Sequence, residues 1–439
     1  MNENYVFIFE FVSGGGFNQV DIPSSLFCEG FGMLRSIIAD FKAMDFIIST
    51  ILDYRIYFLS NLLEADIIHK VDVKDNYINI FKNQVRNCKY IFIIAPESSN
   101  ILYELTEIAK NYKKIILSVD LEGIKLSTSK IMTYSFFKKN KINTPKTYLI
   151  PLRNKKFDLE FIIQKFKELK RPIIIKPEDG VGAESIYYFG SENQIREFFH
   201  SLDNSFKYNR TYILQEFIDG RDLSISLIGS SSNLNSQIAT PIFLSINSQD
   251  VEITNLKIKS EYFGGYTPVE DQKEILNYLS KILNKVNLSK FSGYYGIDFI
   301  QKKNKTVHFL EINPRLTTSY IGLRNVIDIN PVELIINSKL NSMKPVKLKY
   351  HNHSNFSRVE LFYTGSKSIN EIKESLLPKL LNMISELVTP PISFNKSKFF
   401  SCFLATKTKD FRSSKNRLND ILSTLEEFDF KVLKSRLVK

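Results

Sequence analysis

The chain has 439 residues, 43% of them hydrophobic and 13% aromatic, with a formal net charge of +12. That length allows about two to four domains of roughly 100–200 residues each, and the apolar content excludes an intrinsically disordered chain. No apolar run approaches the ~18–20 residues of a membrane-spanning helix, which excludes an integral helical membrane protein. In chain order, Tyr5 to Phe11 reads as a strand running into the loop Ser13-Gly14-Gly15-Gly16-Phe17. Ser24 or Ser25 is placed to cap a helix reaching about Phe41, with Leu26, Met33, Leu34, Ile37 and Ile38 at helical spacing. Phe46 to Leu52, Tyr90 to Ala95 and Lys114 to Val119 read as buried strands, with a helix from Asn100 to Tyr112. This alternation predicts a parallel sheet with helices on its faces over residues 1–125.

A helix from Ser127 to Asn140 and a strand from Pro145 to Ile150 follow, then a helix from Asp158 to Leu169 and the β-branched strand Arg171 to Pro177. Ser185 to Phe189 is a strand and Ser191 to Leu202 a helix, closing a first lobe over 126–205. Strands at Tyr212 to Ile218, Leu223 to Ile228 and 237–247, a helix at Gln272 to Val286 and a final hairpin form a second lobe over 206–340, with Pro331 to Ser338 helical. Residues 341–439 repeat strand and helix: Arg358 to Tyr363, Ile369 to Ile384, Phe399 to Thr406 and Asn416 to Phe428. They predict a small α+β domain.

The N-terminus carries Glu3 and Glu10 and lacks a basic leader, so no signal peptide is expected. Cys28, Cys88 and Cys402 are far apart without C-x-x-C spacing and read as reduced thiols of a cytoplasmic protein. The five histidines form no metal pattern, and His308 reads as packed within a strand. The charge is uneven: residues 345–439 hold 17 Lys/Arg against 9 Asp/Glu. With no basic helix interleaved with aromatics, no zinc finger and no RNA-binding signature, this argues against a nucleic-acid partner. Attraction of small anionic substrates is the better use of the charge.

The densest chemistry lies in Gly293-Tyr294-Tyr295-Gly296-Ile297-Asp298-Phe299-Ile300 and Phe309-Leu310-Glu311-Ile312-Asn313-Pro314-Arg315. Side chains alternate faces along a strand, so Glu311 and Asn313 share one face while Leu310 and Ile312 turn to the core. A turn over Gln301 to Lys305 returns Asp298 beside Glu311. Two carboxylates and a carboxamide suit Mg2+ (or Mn2+), which takes a few oxygens plus substrate phosphates; a solvated polar face of a half-buried hairpin is the plainer alternative. Upstream, Lys176 ends the strand Ile173-Ile174-Ile175 and precedes a loop containing Gly180, Gly182 and Glu184. Glycines there let backbone N–H groups approach phosphates, and Lys176 adds a point charge. Neither this loop nor Gly14-Gly15-Gly16 has Walker A or G-x-G-x-x-G spacing. The triple glycine is either a substrate-facing loop or a purely conformational one.

Lys176 with its loop, Gln215-Glu216-Phe217-Ile218, Gly220-Arg221-Asp222, Asp298 and Glu311-Ile312-Asn313-Pro314-Arg315 occur in that order. The series resembles the ATP-grasp superfamily of carboxylate–amine ligases over roughly residues 1–340. The resemblance implies that Lys130, Lys176 and the loop of Gly180, Gly182 and Glu184 contact the ATP phosphates. It places adenine at the hinge Gln215, Glu216, Phe217 and Ile218, the ribose at Asp222, and Mg2+ on Asp298, Glu311 and Asn313. Arg315 would face the transferred phosphate or the substrate carboxylate, making Arg315 and Lys176 the catalytic pair. Three further runs resemble the branch that includes tyramine–L-glutamate ligases: Glu10 to Phe17, Glu29-Gly30-Phe31-Gly32-Met33-Leu34, and Phe263-Gly264-Gly265-Tyr266-Thr267-Pro268. That branch implies L-glutamate and an amine such as tyramine as substrates. Gly14, Gly15, Gly16, Gly265 and Tyr266 would then be substrate residues, and Phe17, Phe31, Phe263 and Tyr266 candidates for an aromatic slot. A nucleotide-binding regulatory protein or phosphotransferase on the same fold is the alternative. Neither reading depends on a homo-oligomer, and both allow one.

Overall fold

The computed structural model describes residues 4–153, 156–180, 185–201, 210–230, 240–253, 260–340, 346–394 and 397–435. Tyr5–Glu10 (β1) is apolar to its last residue and takes the middle of a parallel sheet. Ser24–Lys42 (α1), Ile47–Asp53 (β2), a 3-10 segment at Tyr54–Leu62, Ile67–Val71 (β3) and Tyr77–Asn87 (α2) follow. Tyr90–Ile94 (β4), Ile101–Asn111 (α3) and Ile115–Ile116 (β5) complete the order β3-β2-β1-β4-β5. Strands buried on both faces need continuous apolar runs, and YVFIF and YIFII supply them. Phe7 and Phe9 pack on Phe81 of α2, centroids 5.5 and 4.9 Å away. All five strands run parallel, the strand order reverses between β1 and β4, and a crevice opens at the carboxyl ends of those strands.

Two expectations change here. Neither Ser24 nor Ser25 caps α1: Pro23 holds the cap position without a side-chain bond, and its carbonyl accepts from Phe27 N at 3.0 Å. The helix expected over Ser127 to Asn140 is two, Leu121–Ser127 (α4) and Lys130–Lys139 (α5). Ser129 breaks them apart with extended backbone, and its hydroxyl accepts from Met132 N, an N-cap in mid-run.

The next lobe contains Thr147–Leu149 (β6), the small hairpin Leu152–Arg153 (β7) and Lys156–Phe157 (β8), then Leu159–Leu169 (α6). Ile173–Pro177 (β9), Tyr187–Phe189 (β10), Glu192–Ser201 (α7) and Tyr212–Glu216 (β11) follow. Its antiparallel sheet runs β10-β9-β11-β6 over its own small core of Ile162, Ile173, Phe189 and Leu214. Arg221–Gly229 (β12) and Ile242–Ser248 (β13) open the facing lobe, followed by the pair Val251–Glu252 (β14) and Glu261–Tyr262 (β15), Gly264–Thr267 (β16) and Gln272–Leu283 (α8). Gly293–Gln301 (β17) and Val307–Asn313 (β18) complete the sheet β13-β12-β17-β18, and Ser319–Leu323 (α9) and Pro331–Leu340 (α10) lead out of it.

The tail brings Ser354–Tyr363 (β19), Ile369–Glu371 (α11), a π-helical turn at Ile372–Leu376 and Leu377–Met383 (α12). Leu387–Ile392 (β20), Phe399–Ala405 (β21), Phe411–Glu427 (α13) and Phe430–Lys434 (β22) finish it. Its sheet is not closed within residues 341–439, because β16 is one of its strands, paired with β19. Helix α1 is held from the other side by the same sheet: Arg35 Nη1 donates to the carbonyls of Leu387 and Val388, both at 2.9 Å. Thr389 Oγ1 donates to Cys28 O at 2.7 Å. The seam between β16 and β19 demands glycine. Gly264 has φ +104°, and a Cβ there would fall 2.0 Å from Phe356 O. Gly264→Ala is therefore expected to cost at least about 2 kcal/mol through strain and parted strands, seen as a lower denaturant midpoint at unchanged slope.

Candidate active site

The two antiparallel sheets face each other across a cleft of about 900 Å3 that extends to the carboxyl ends of β1 and β4. One wall presents Ile174, Lys176, Tyr188, Gln215 and Glu216; the other presents Asp222, Ser224, Asp298, Ile300, Glu311 and Asn313. The far end, lined by Phe11, Val12, Phe17, Pro23, Leu26 and Met33, is largely apolar and carries Glu29.

The hairpin forms as its spacing predicts: Asp298 and Glu311 are register partners on β17 and β18. A bulge follows Asp298, and the extra residue it leaves on β18 is Leu310. This corrects one expectation: Leu310 lines the cleft instead of entering the core, while Phe309 and Ile312 are buried. Asp298 Oδ1 accepts from Gln249 Nε2 at 2.8 Å, and its Oδ2 accepts from Asn313 Nδ2 at 3.0 Å. Burial, and then the neighbouring Glu311, drives the Asp298 carboxyl well above the usual carboxylate range. Burial also opposes charge on Glu311, yet Lys130 and Lys176 outweigh it and hold that carboxyl below its ordinary value. Two carboxylates forced together, one pulled toward protonation, describe a site short of a positive charge. That fits Mg2+ held by Asp298, Glu311 and Asn313 with phosphates completing its shell. Among the described residues no group of three or more His, Cys, Asp or Glu gathers to hold a metal.

Lys176 is only 8% exposed, and burial first, then Lys130, brings its ammonium down to about 8, with Glu311 opposing. Lys130 is the first residue of α5; its Nζ lies 3.2 Å from Glu311 Oε2 and donates to Gly180 O at 2.5 Å. Ser129 Oγ donates to Glu178 Oε1, so the helix start and the loop after β9 are pinned together. Gly182 and Glu184 lie outside the described residues. At the hinge, Gln215 Nε2 donates to Thr147 Oγ1 at 2.9 Å and Phe217 N to Pro172 O at 3.0 Å. Glu216 is engaged by Lys146 N and by Arg171, 3.5 Å away. Asp222 lies beside Asp250, and burial, then that neighbour, pushes it up to about 6.

Arg315 is anchored by Glu97, whose two carboxylate oxygens each accept from Arg315 Nε at 3.0 Å. Burial opposes its charge, but Glu97, Asp298 and Glu311 keep the guanidinium protonated. Glu97 and Gln249 escaped the sequence reading, since each stands just past a strand end with no motif around it. The signal was positional: β4 and β13 both end at the cleft.

Gly14, Gly15 and Gly16 are not among the residues lining the cleft. Cβ atoms on Gly14, Gly15 and Gly16 would run into Phe9, Val71 and Phe11 at 2.5, 2.9 and 2.4 Å. Close packing against those side chains excludes a Cβ, as the conformational reading of this loop expects. Gly265 and Tyr266 sit in β16 away from the cleft lining; Tyr266 packs on Phe411, centroids 4.4 Å apart. Phe31 is core, and Phe263 lies under the Arg358 guanidinium at 5.1 Å. Of the proposed aromatic slot only Phe17 lines the cleft.

The family model described as the ATP-grasp domain matches residues 127–319, and that of the pre ATP-grasp 3 domain matches 47–124. The tyramine–L-glutamate ligase of Methanocaldococcus jannaschii is 28% identical over 352 residues, covering 78% of this chain and 92% of its own. A D-alanine–D-alanine ligase from Petrotoga mobilis is 27% identical over 252 residues, covering 54% of this chain and 74% of its own. Among solved structures, the biotin carboxylase domain of a Hydrogenobacter thermophilus 2-oxoglutarate carboxylase, crystallised with MgADP, ADP and bicarbonate, superposes with a TM-score of 0.69. It is 12% identical, covering 98% of this chain and 90% of that one, and so speaks to the fold alone. With a parallel-sheet domain preceding two facing antiparallel lobes, and with both family models matched in order, the chain belongs to the ATP-grasp superfamily of ATP-dependent ligases.

Proposed function

We propose that the protein joins a carboxylate to an amine through an acyl phosphate, with ATP as phosphoryl donor. The observation that carries this reading is one continuous cleft with lysines and carboxylates at its centre and an apolar pocket at its far end. A carboxylate is a poor acyl donor, because its leaving group would be oxide. Phosphorylation by ATP releases ADP and installs phosphate as the leaving group; the amine nitrogen then attacks the carbonyl carbon and phosphate departs. Positioning and charge neutralisation are the protein's share of such a reaction.

In this reading the adenine lies against Gln215, Glu216, Phe217 and Ile218, the ribose hydroxyls meet Asp222, and Lys130 and Lys176 meet the phosphates. Gly180, on the cleft wall, stands beside them. Asp298, Glu311 and Asn313 would hold Mg2+, which when bound would supply positive charge against the phosphates. Arg315, kept rigid and protonated by Glu97, faces the transferred phosphoryl group or the substrate carboxylate.

An acid of the glutamate class and an amine with an apolar body, as in tyramine, are the substrates the relatives suggest. The wall of Phe11, Val12, Phe17, Leu26 and Met33 supports the apolar amine. Mass spectrometry of reactions with ATP, Mg2+, L-glutamate and a panel of amines including tyramine tests this. The expected products are an amide, ADP and phosphate. AMP with pyrophosphate would mean an adenylate and overturn the reading.

A further inference from the structure

The run Glu29-Gly30-Phe31-Gly32 on α1 leaves one acidic side chain unexplained. Glu29 stands on the cleft wall, its side chain 18% exposed, among Pro23, Leu26, Gly30 and Met33. A carboxylate among apolar residues needs a reason. Its ion-pair partner is Arg358 on β19, with Nη1 3.8 Å from Glu29 Oε1, too far for a hydrogen bond. The guanidinium is itself fixed, lying over the Phe263 ring and 3.2 Å from Glu360 Oε1. The tail sheet therefore reaches through α1 to the substrate end of the cleft.

We propose that Glu29 docks the ammonium group of the incoming amine and accepts its proton, while Arg358, a positioning residue supplied by the tail, holds it in place. The inference rests on the ligase reading above and deepens it. An amine at neutral pH arrives as R–NH3+, which has no lone pair to attack with. One N–H proton passes to Glu29 Oε, leaving R–NH2. The nitrogen lone pair then forms the C–N bond as the C–O bond to phosphate breaks, and the second proton leaves with the phosphate.

Glu29 is suited to both halves of this task. Burial raises its carboxyl to about 7, with Arg358 and then Arg315 opposing and Glu360 assisting. A base is most effective when its pKa lies near the working pH. The charged and titratable groups around it are Arg358 and Glu360 from β19, Arg315 after β18, and Glu10, whose carboxylate abuts Gly30. The thiols of Cys28 and Cys402 complete the surroundings and stay protonated, burial driving both upward. The Arg315 charge is felt at Glu29, which places Glu29 within electrostatic reach of the cation assigned to the transferred group.

The experiment compares two nucleophiles on the full chain: an ammonium-bearing amine and hydroxylamine, which is already neutral at pH 7. Glu29→Gln should cut amide formation with the ammonium substrate about a hundredfold, while ATP-dependent hydroxamate formation falls only a few-fold. In the wild type, the rate with the ammonium substrate should fall as pH drops through about 7 and the base takes a proton. Arg358→Lys should move that limb to higher pH, since a less well placed cation lowers the Glu29 pKa less; the hydroxylamine profile should not follow it. Equal losses with both nucleophiles, or none with either, would overturn the assignment of Glu29. No hydroxamate even from the wild type would instead sink the ligase reading itself.

Discussion

Glu311→Gln is expected to lower turnover at least about a hundredfold while leaving the fold intact. Three charges depend on this carboxylate. Lys130 Nζ lies 3.2 Å from it, Lys176 is held partly protonated by it, and Asp298 is pushed toward protonation beside it. Glutamine keeps the shape and removes the charge, so a divalent cation and both lysines lose their common counter-charge at once. The fold should tolerate this, because relief of Asp298 offsets the loss felt by the lysines. Turnover measured against Mg2+ concentration, alongside thermal unfolding, checks it. Wild-type turnover at an unchanged Mg2+ requirement would end the metal assignment of Glu311.

Arg315→Met is the second large effect, and it falls on stability as well as chemistry. Glu97 is 6% exposed and accepts from Arg315 Nε through both oxygens. Removing the guanidinium strands a buried carboxylate, and breaking one side of such a pair costs about 3–5 kcal/mol. Replacing Glu97 with Gln in the same chain removes the stranded charge and should return most of that stability. It should not return turnover, because the cation facing the transferred group is still gone. A double variant as active as the wild type would reduce Arg315 to a structural residue.

The meeting of Asp298, Glu311 and Asn313 was legible because all three lie on strands. Asp298, Glu311 and Asn313 sit at alternating positions in apolar hairpin strands, and two-residue periodicity reports such faces directly. The parallel sheet was legible in β1, β2 and β4 from their largely continuous apolar runs instead. Its edge was not: β3, Ile67–Val71, is mostly half-buried or exposed and carries His69 and Lys70, so it has no apolar run to read. Leu310 was misplaced because a bulge shifts the alternation by one, and nothing local announces it. The far end of the cleft was the hardest part to read from composition. Glycine-rich loops suggested ligand contact, whereas Gly14 to Gly16 are small because Phe9, Val71 and Phe11 press against them. Residues that act across the chain, such as Glu97 on Arg315 or Arg358 on Glu29, are separated by hundreds of positions and leave no local pattern.

Because β16 is a strand of the tail's sheet, the last hundred residues cannot be treated as a detachable module. Ending the chain near residue 340 would strip β16 of β19 and bare the face of α1 that meets β20 and β21. The truncated product would carry an unpaired strand edge next to newly wetted apolar surface, a recipe for self-association. Swapping tails between relatives would meet the same obstacle unless residues 264–267 travelled with them. The far end of the cleft and the C-terminal sheet thus share one packed unit, so a substitution on either side of the seam is felt by the other.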